Sequence, residues 1–182
     1  MSTALLLIDI QNDYFPNGKM ELDRLVQAAH QAAKVLAWFR QHHKDTIFHV
    51  QHIATEEAKG FFLPNTEGGH INAAVLPEGE EEIIIKHTPN SFFNTDLAGK
   101  LEGKGVTKLV IAGMMTHMCI DATVRAAKEL GFEVTLIDDA CTTRDLAYRE
   151  KTVPAQQVHE AFIGALAGVY AEVVSAEEFV RK

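Results

Sequence analysis

The 182-residue chain has only two cysteines, Cys119 and Cys141, a single tryptophan and no cluster of basic residues. Two cysteines make no disulfide framework, and a chain of this length buries enough core to fold without one. That usage predicts a reducing, cytoplasmic setting. Basic residues are also scarce, 17 against 25 acidic ones, for a formal charge of −8. An acidic chain without a Lys/Arg patch excludes nucleic acid and anionic membranes as main partners. Long apolar runs are missing: residues 4–8 are typical, far below the roughly 20 needed to span a bilayer. Met1–Ser2–Thr3 lacks the basic-then-apolar pattern of a secretory leader. Repeats and linkers are absent too, so one domain over residues 1–182 is expected.

What is present is an alternation of apolar runs and helical patterns. The runs are residues 4–10 (ALLLIDI), 46–51 (TIFHVQ), 82–86 (EIIIK), 108–113 (KLVIAG), 133–138 (EVTLID) and 172–175. Between them, helical spacing covers 21–41, where Leu22, Leu25, Val26, Ala29, Ala33, Leu36 and Phe39 recur on one side. Further helices are expected near 96–102, over 116–130 and over 154–168, with Thr116 as N-cap and Gly131 as C′ residue. Residues 54–77 show no period and read as a long loop. Apolar strands alternating with helices predict a three-layer α/β/α fold, a doubly wound six-stranded parallel sheet.

In such sheets ligands bind beyond the carboxyl ends of the strands, at the switch point. Asp9, Gln51–His52, Lys86 and the segment 113–119 all fall on that edge. With strand order 3-2-1-4-5-6, Asp9 and Cys119 face each other across the switch point, and Lys86 must lean inward from the edge strand. If Thr116 caps its helix, Cys119 is the third residue. There the unpaired N–H groups and the helix dipole favour a thiolate and lower the thiol pKa. Lys86 favours the thiolate further, and Asp9 is placed to take the thiol proton and return it to a leaving nitrogen.

The segments LLLIDIQNDYF, IIIKHTPNSFFNTDL and VIAGMMTHMCIDATVRAAKELGFEVTLIDDACTT, in this order and spacing, resemble the isochorismatase-like cysteine hydrolases over about residues 4–174. The resemblance implies a Rossmann- or flavodoxin-like sheet and an Asp–Lys–Cys triad at Asp9, Lys86 and Cys119. It implies cleavage of amide or carbamoyl C–N bonds of small molecules through a thioester on the cysteine. It further implies a cis peptide at Met114–Met115, an oxyanion hole from the Met115 and Cys119 amides, no cofactor, and a homo-oligomer, either dimer or tetramer. Gln11, Phe15, His52, Phe62 and Phe92 are candidate substrate-binding residues.

Nicotinamidases, one branch of that family, carry a metal on an Asp-x-His pair and a further histidine. Here HVQHIATEEAKGFFLPNTEGGH has no such Asp. His49 and His52 fall on opposite faces of an extended strand, and His70 with His52 makes too few ligands, so no metal is expected. His117 reads as a surface or capping residue, Cys141 as a buried structural thiol, and Asp138 and Asp139 as turn caps. No GxGxxG or GxxxxGK[ST] follows a strand, which argues against a nucleotide-binding module. The remaining alternatives are a thiol redox protein using Cys119, and a catalytically silent small-molecule binder on the same fold.

Overall fold

A computed structural model describes residues 2–55 and 60–181; part of the long loop expected over 54–77 lies outside them. The strand β1 (Ser2–Ile8) is central and nearly all buried. Its alternation sends Leu5 and Leu7 to one core and Ala4, Leu6 and Ile8 to the other. That double burial is why the run is continuously apolar.

Helix α1 (Leu25–His42) covers the first face through Leu25, Ala29, Ala32, Leu36 and Phe39. It begins four residues later than its apolar spacing predicts. Leu22 and Asp23 are instead tied by their N–H groups to the Tyr14 and Thr143 carbonyls, and Arg24 is left-handed (φ 44°). Strands β2 (Ile47–His52) and β3 (Glu82–Lys86) follow, then α2 (Leu97–Gly103) and β4 (Val106–Met114). Next come α3 (Asp121–Glu129) and β5 (Glu133–Thr142). The C-terminal third holds β6 (Leu146–Tyr148), β7 (Lys151–Val153), α4 (Ala155–Leu166), β8 (Glu172–Val174) and α5 (Ala176–Val180). The main sheet runs β3-β2-β1-β4-β5-β8 with every pairing parallel, the expected order. Leu97 and Leu101 of α2, Val124 and Ala127 of α3 and Leu166 of α4 close its second face.

Three further features depart from the sequence reading. β6 and β7 form a separate antiparallel hairpin; its turn, Arg149–Glu150, carries no Gly, Asn or Pro to announce it. α5 starts in a capping box, with Ser175 and Glu178 bonding each other's backbone N–H groups. The stretch expected as one helix over 116–130 is a π-type turn at Thr116–Ile120 running into α3. Its cap position is Met115, not Thr116, whose hydroxyl turns away to His159 Nδ1 at 2.9 Å. The C-terminal end is as expected: the Gly131 and Phe132 N–H groups bond the Lys128 and Ala127 carbonyls, a Schellman closure.

A polar clamp fixes the start of β3 to α1. The Arg40 guanidinium bonds both Glu81 oxygens (2.7 and 3.0 Å) and the Leu76 carbonyl, and Glu81 also meets His49 Nε2 at 2.8 Å. Burial alone would raise the Glu81 carboxyl, but bonds from Arg40, the Glu78 N–H and His49 outweigh it and hold it at about 2. Burial lowers the His49 pKa against the opposing pull of Glu81. Both shifts point the same way. An unfolded chain takes up protons at His49 below about pH 6.5 and at Glu81 below about 4.5, before the folded protein does, so stability falls with acidification. Thermal unfolding should show Tm declining from about pH 6.5 downward. In Glu81→Gln, neutral-pH stability should drop by about 1–3 kcal/mol, with a shallower decline below pH 4.5. A pH-independent Tm would contradict this account.

Candidate active site

Four strand ends deliver one cluster. Asp9 directly follows β1, His52 and Lys86 end β2 and β3 side by side in register, and Cys119 lies in the π-type turn after β4. Lys86 starts on the edge strand, yet its arm passes over the end of β2 to reach the switch point. Its Nζ stands 2.7 Å from Asp9 Oδ2, 3.0 Å from His52 Nδ1 and 3.3 Å from Cys119 Sγ, and donates to the Thr88 carbonyl at 3.0 Å. Asp9 and Lys86 are buried, Cys119 retains 4% exposure, and His52 alone of the four is half-buried.

The close approach of β1 and β4 depends on Gly113, the register partner of Ile8. A Cβ there would lie 2.0 Å from the Ile8 carbonyl oxygen, and its φ is 134°. Beyond it the Met114–Met115 peptide is cis. The Met115 carbonyl accepts the N–H groups of Met118 and Ile120, closing the turn that carries Cys119. Asp9 itself is left-handed, φ 54°, with its N–H on the Val50 carbonyl.

The electrostatics differ from the expectation at the thiol. Burial, then the Asp9 carboxylate, push the Cys119 thiol far above its ordinary value; Lys86 pulls it down but does not prevail. A short π-type turn under a buried carboxylate therefore leaves Cys119 protonated at neutral pH, not the thiolate that helix position alone suggested. Burial works against the Lys86 ammonium, but Asp9 and Cys119 more than compensate, and its pKa is raised. Burial pushes the Cys141 thiol up to about 12.

The remaining candidates separate. Gln11 is fully buried and its amide is spent on backbone, bonding the His52 N–H and carbonyl and the Gly69 carbonyl. It therefore positions His52 and does not face outward. Phe62 is buried behind His52, with ring centroids 5.9 Å apart. Phe15 packs against the first core. Phe92 stacks on Phe132, the residue before β5, with ring centroids 6.0 Å apart. His49 belongs to the Glu81 clamp, and exposed His70 pairs with Glu67 at 3.2 Å. His117 bonds the Thr143 hydroxyl, and Asp139 caps α5 by accepting the Ala176 N–H.

Two residues escaped the sequence reading. Tyr14, buried and packed on Phe62 at 4.6 Å, lies near Cys119 and Asp9; burial first, then the two neighbouring acids, raise its pKa. Asp13 stitches the loops together: its carboxylate accepts the Phe62 N–H at 2.7 Å and the Lys19 N–H at 3.3 Å. Gly68 presses on it, since a Cβ there would lie 2.1 Å from Asp13 Oδ1. The word QNDYF flagged this loop, but neither buried contact has a sequence period.

A parallel α/β sheet gathering a thiol, an ammonium and a carboxylate at its switch point defines a class of doubly wound proteins with a site beyond the strand ends. A family model described as the Isochorismatase domain matches residues 3–178, and the chain belongs to this family of hydrolases. YddQ of Bacillus subtilis (strain 168), an isochorismatase family protein described as uncharacterized, is 55% identical over 181 residues, covering 100% of each chain. Streptothricin hydrolase of Streptomyces noursei is 32% identical over 170 residues, covering 90% of this chain and 59% of that one. The crystal structure of an isochorismatase hydrolase from Oleispira antarctica superposes with a TM-score of 0.95 at 47% identity, covering 100% of this chain and 97% of that one.

Asp13→Ala strips two backbone N–H groups of their acceptor and frees the Phe62 loop. It should cost about 1–3 kcal/mol for the buried Phe62 N–H left unpaired, read as a lower Tm. A Tm equal to that of the parent would show that the loop is held by other contacts.

Proposed function

We propose that this protein is a cysteine hydrolase that cleaves an amide or carbamoyl C–N bond of a small molecule through a thioester on Cys119. The observation that carries the reading is the contact of one ammonium, Lys86, with both the Asp9 carboxylate and the Cys119 sulfur. Asp9 takes the thiol proton as sulfur attacks the carbonyl, so the thiolate forms only as it is consumed. The same proton then passes to the departing nitrogen, which leaves as the amine, with the acyl group on sulfur. Asp9 next activates water, which releases the carboxylic acid and restores the thiol. The amides of Met115 and Cys119 are assigned to the oxyanion. Lys86 keeps its proton and balances the negative charge as it moves between Asp9, sulfur and oxyanion. His52, with Phe62 behind it, faces the acyl portion of the substrate. Among the described residues no helix is long and apolar enough to cross a membrane.

The redox alternative has less support. Both thiols are free and buried, and burial holds both protonated, whereas thiol sensors are low-pKa and accessible.

Incubation with a pooled library of small amides and carbamoyl compounds, followed by acid quench and peptide mass spectrometry, should find an acyl mass on the Cys119 peptide. Turnover of the substrate so identified should fall by about 10⁴-fold or more in Cys119→Ala, as for the nucleophiles of other covalent hydrolases. It should fall on the order of 10²–10⁴-fold in Asp9→Asn. Turnover that survives in Cys119→Ala would refute the mechanism.

A further inference from the structure

Four electron-pair donors surround the Lys86 ammonium: Asp9 Oδ2 at 2.7 Å, His52 Nδ1 and the Thr88 carbonyl oxygen at 3.0 Å, and Cys119 Sγ at 3.3 Å. With three protons for four acceptors, the group is held as a cation in a cage as much as by directed bonds. One ligand atom each from Asp9, His52 and Cys119 lie within 4.8 Å of one another. Carboxylate, imidazole and sulfur are the donors that close around Zn²⁺ at about 2.0–2.3 Å in tetrahedral sites.

We propose that Asp9, His52 and Cys119 form a latent site for a thiophilic divalent metal, and that the Lys86 ammonium is its built-in occupant, keeping such metals off the cysteine. Charge balance supports the exchange. Ammonium, carboxylate and thiol sum to zero, and so do Zn²⁺, carboxylate and thiolate; a buried cage accommodates either set. Both cations together would leave the cage with excess positive charge, so ammonium and metal exclude each other. Without Lys86 the carboxylate is buried and uncompensated, and metal binding restores neutrality. The Zn–S bond forms as the Cys119 proton leaves to solvent, and His52 contributes a neutral ring nitrogen. A contraction of about 1 Å by side-chain rotation brings the three donors to zinc distance. Half-buried His52 gives the ion a way in, and water or the Thr88 carbonyl completes four-coordination.

The test is titration of the wild type and Lys86→Met with Co²⁺, followed by the sulfur-to-cobalt charge-transfer band, and with Zn²⁺, followed by equilibrium dialysis and thermal shift. Lys86→Met should take up one equivalent, bind at least about 100-fold tighter than the wild type once the resident charge is gone, and gain Tm with Zn²⁺. Adding Cys119→Ser should abolish the band and the gain; adding His52→Ala should weaken binding by about 10-fold or more. Lys86→Gln should repeat the result should the methionine variant be too unstable to handle. No charge-transfer band in either Lys86 variant, or equally tight binding by the wild type, would overturn the proposal. These readouts are independent of turnover, so they stand apart from the fate of the hydrolytic reading.

Discussion

One buried ammonium organises this molecule's functional edge. Lys86 leaves the outermost strand, crosses the end of β2 and puts its charge between a carboxylate from β1 and a sulfur from beyond β4. An isolated buried lysine would lose its proton, and an isolated buried aspartate would be costly to ionise. Held 2.7 Å apart, each makes the other's charge tolerable. Buried pairs of this kind contribute little net stability once desolvation is counted.

Much of the surrounding architecture serves that placement. Gly113 lets β4 lie against the end of β1 where any side chain would collide with the Ile8 carbonyl. Gln11 spends its whole amide on backbone to fix His52, the fourth neighbour of the ammonium. Asp13 ties the Phe62 loop beneath the same edge. Tyr14 packs against Phe62 at 4.6 Å. Backbone carbonyls and amides hold Gln11 and Asp13 in place around the site, so the residues that orient it are tied down before any ligand arrives.

The sheet was legible because its cause is local. Apolar runs buried on both faces, separated by helical periods, specify parallel strands, and the switch-point rule then aligns Asp9, His52, Lys86 and Cys119 on one edge. What was not legible depended on long-range contact. Phe92 and Phe15 look like pocket aromatics in sequence, but Phe92 stacks on Phe132. Tyr14 next to Phe15 takes the buried position instead. The β6–β7 hairpin has no turn residue to mark it. The thiol departs from its sequence expectation for a physical reason: helix position predicts a lowered pKa, but burial and a carboxylate from another strand act on the same sulfur and outweigh it. The capping box of α5 is a different case, since its S-x-x-E spacing stood in the sequence at Ser175 and Glu178.

The central claim is that the resting site is an ammonium–carboxylate pair holding a protonated thiol. The most direct measurement is the ¹³Cβ shift of labelled Cys119, followed by NMR in the intact, unliganded protein from pH 6 to pH 9, with Cys141→Ser to simplify the spectrum. The account predicts a thiol shift that does not titrate across that range. A thiolate shift at neutral pH, or a titration midpoint inside the range, would contradict it.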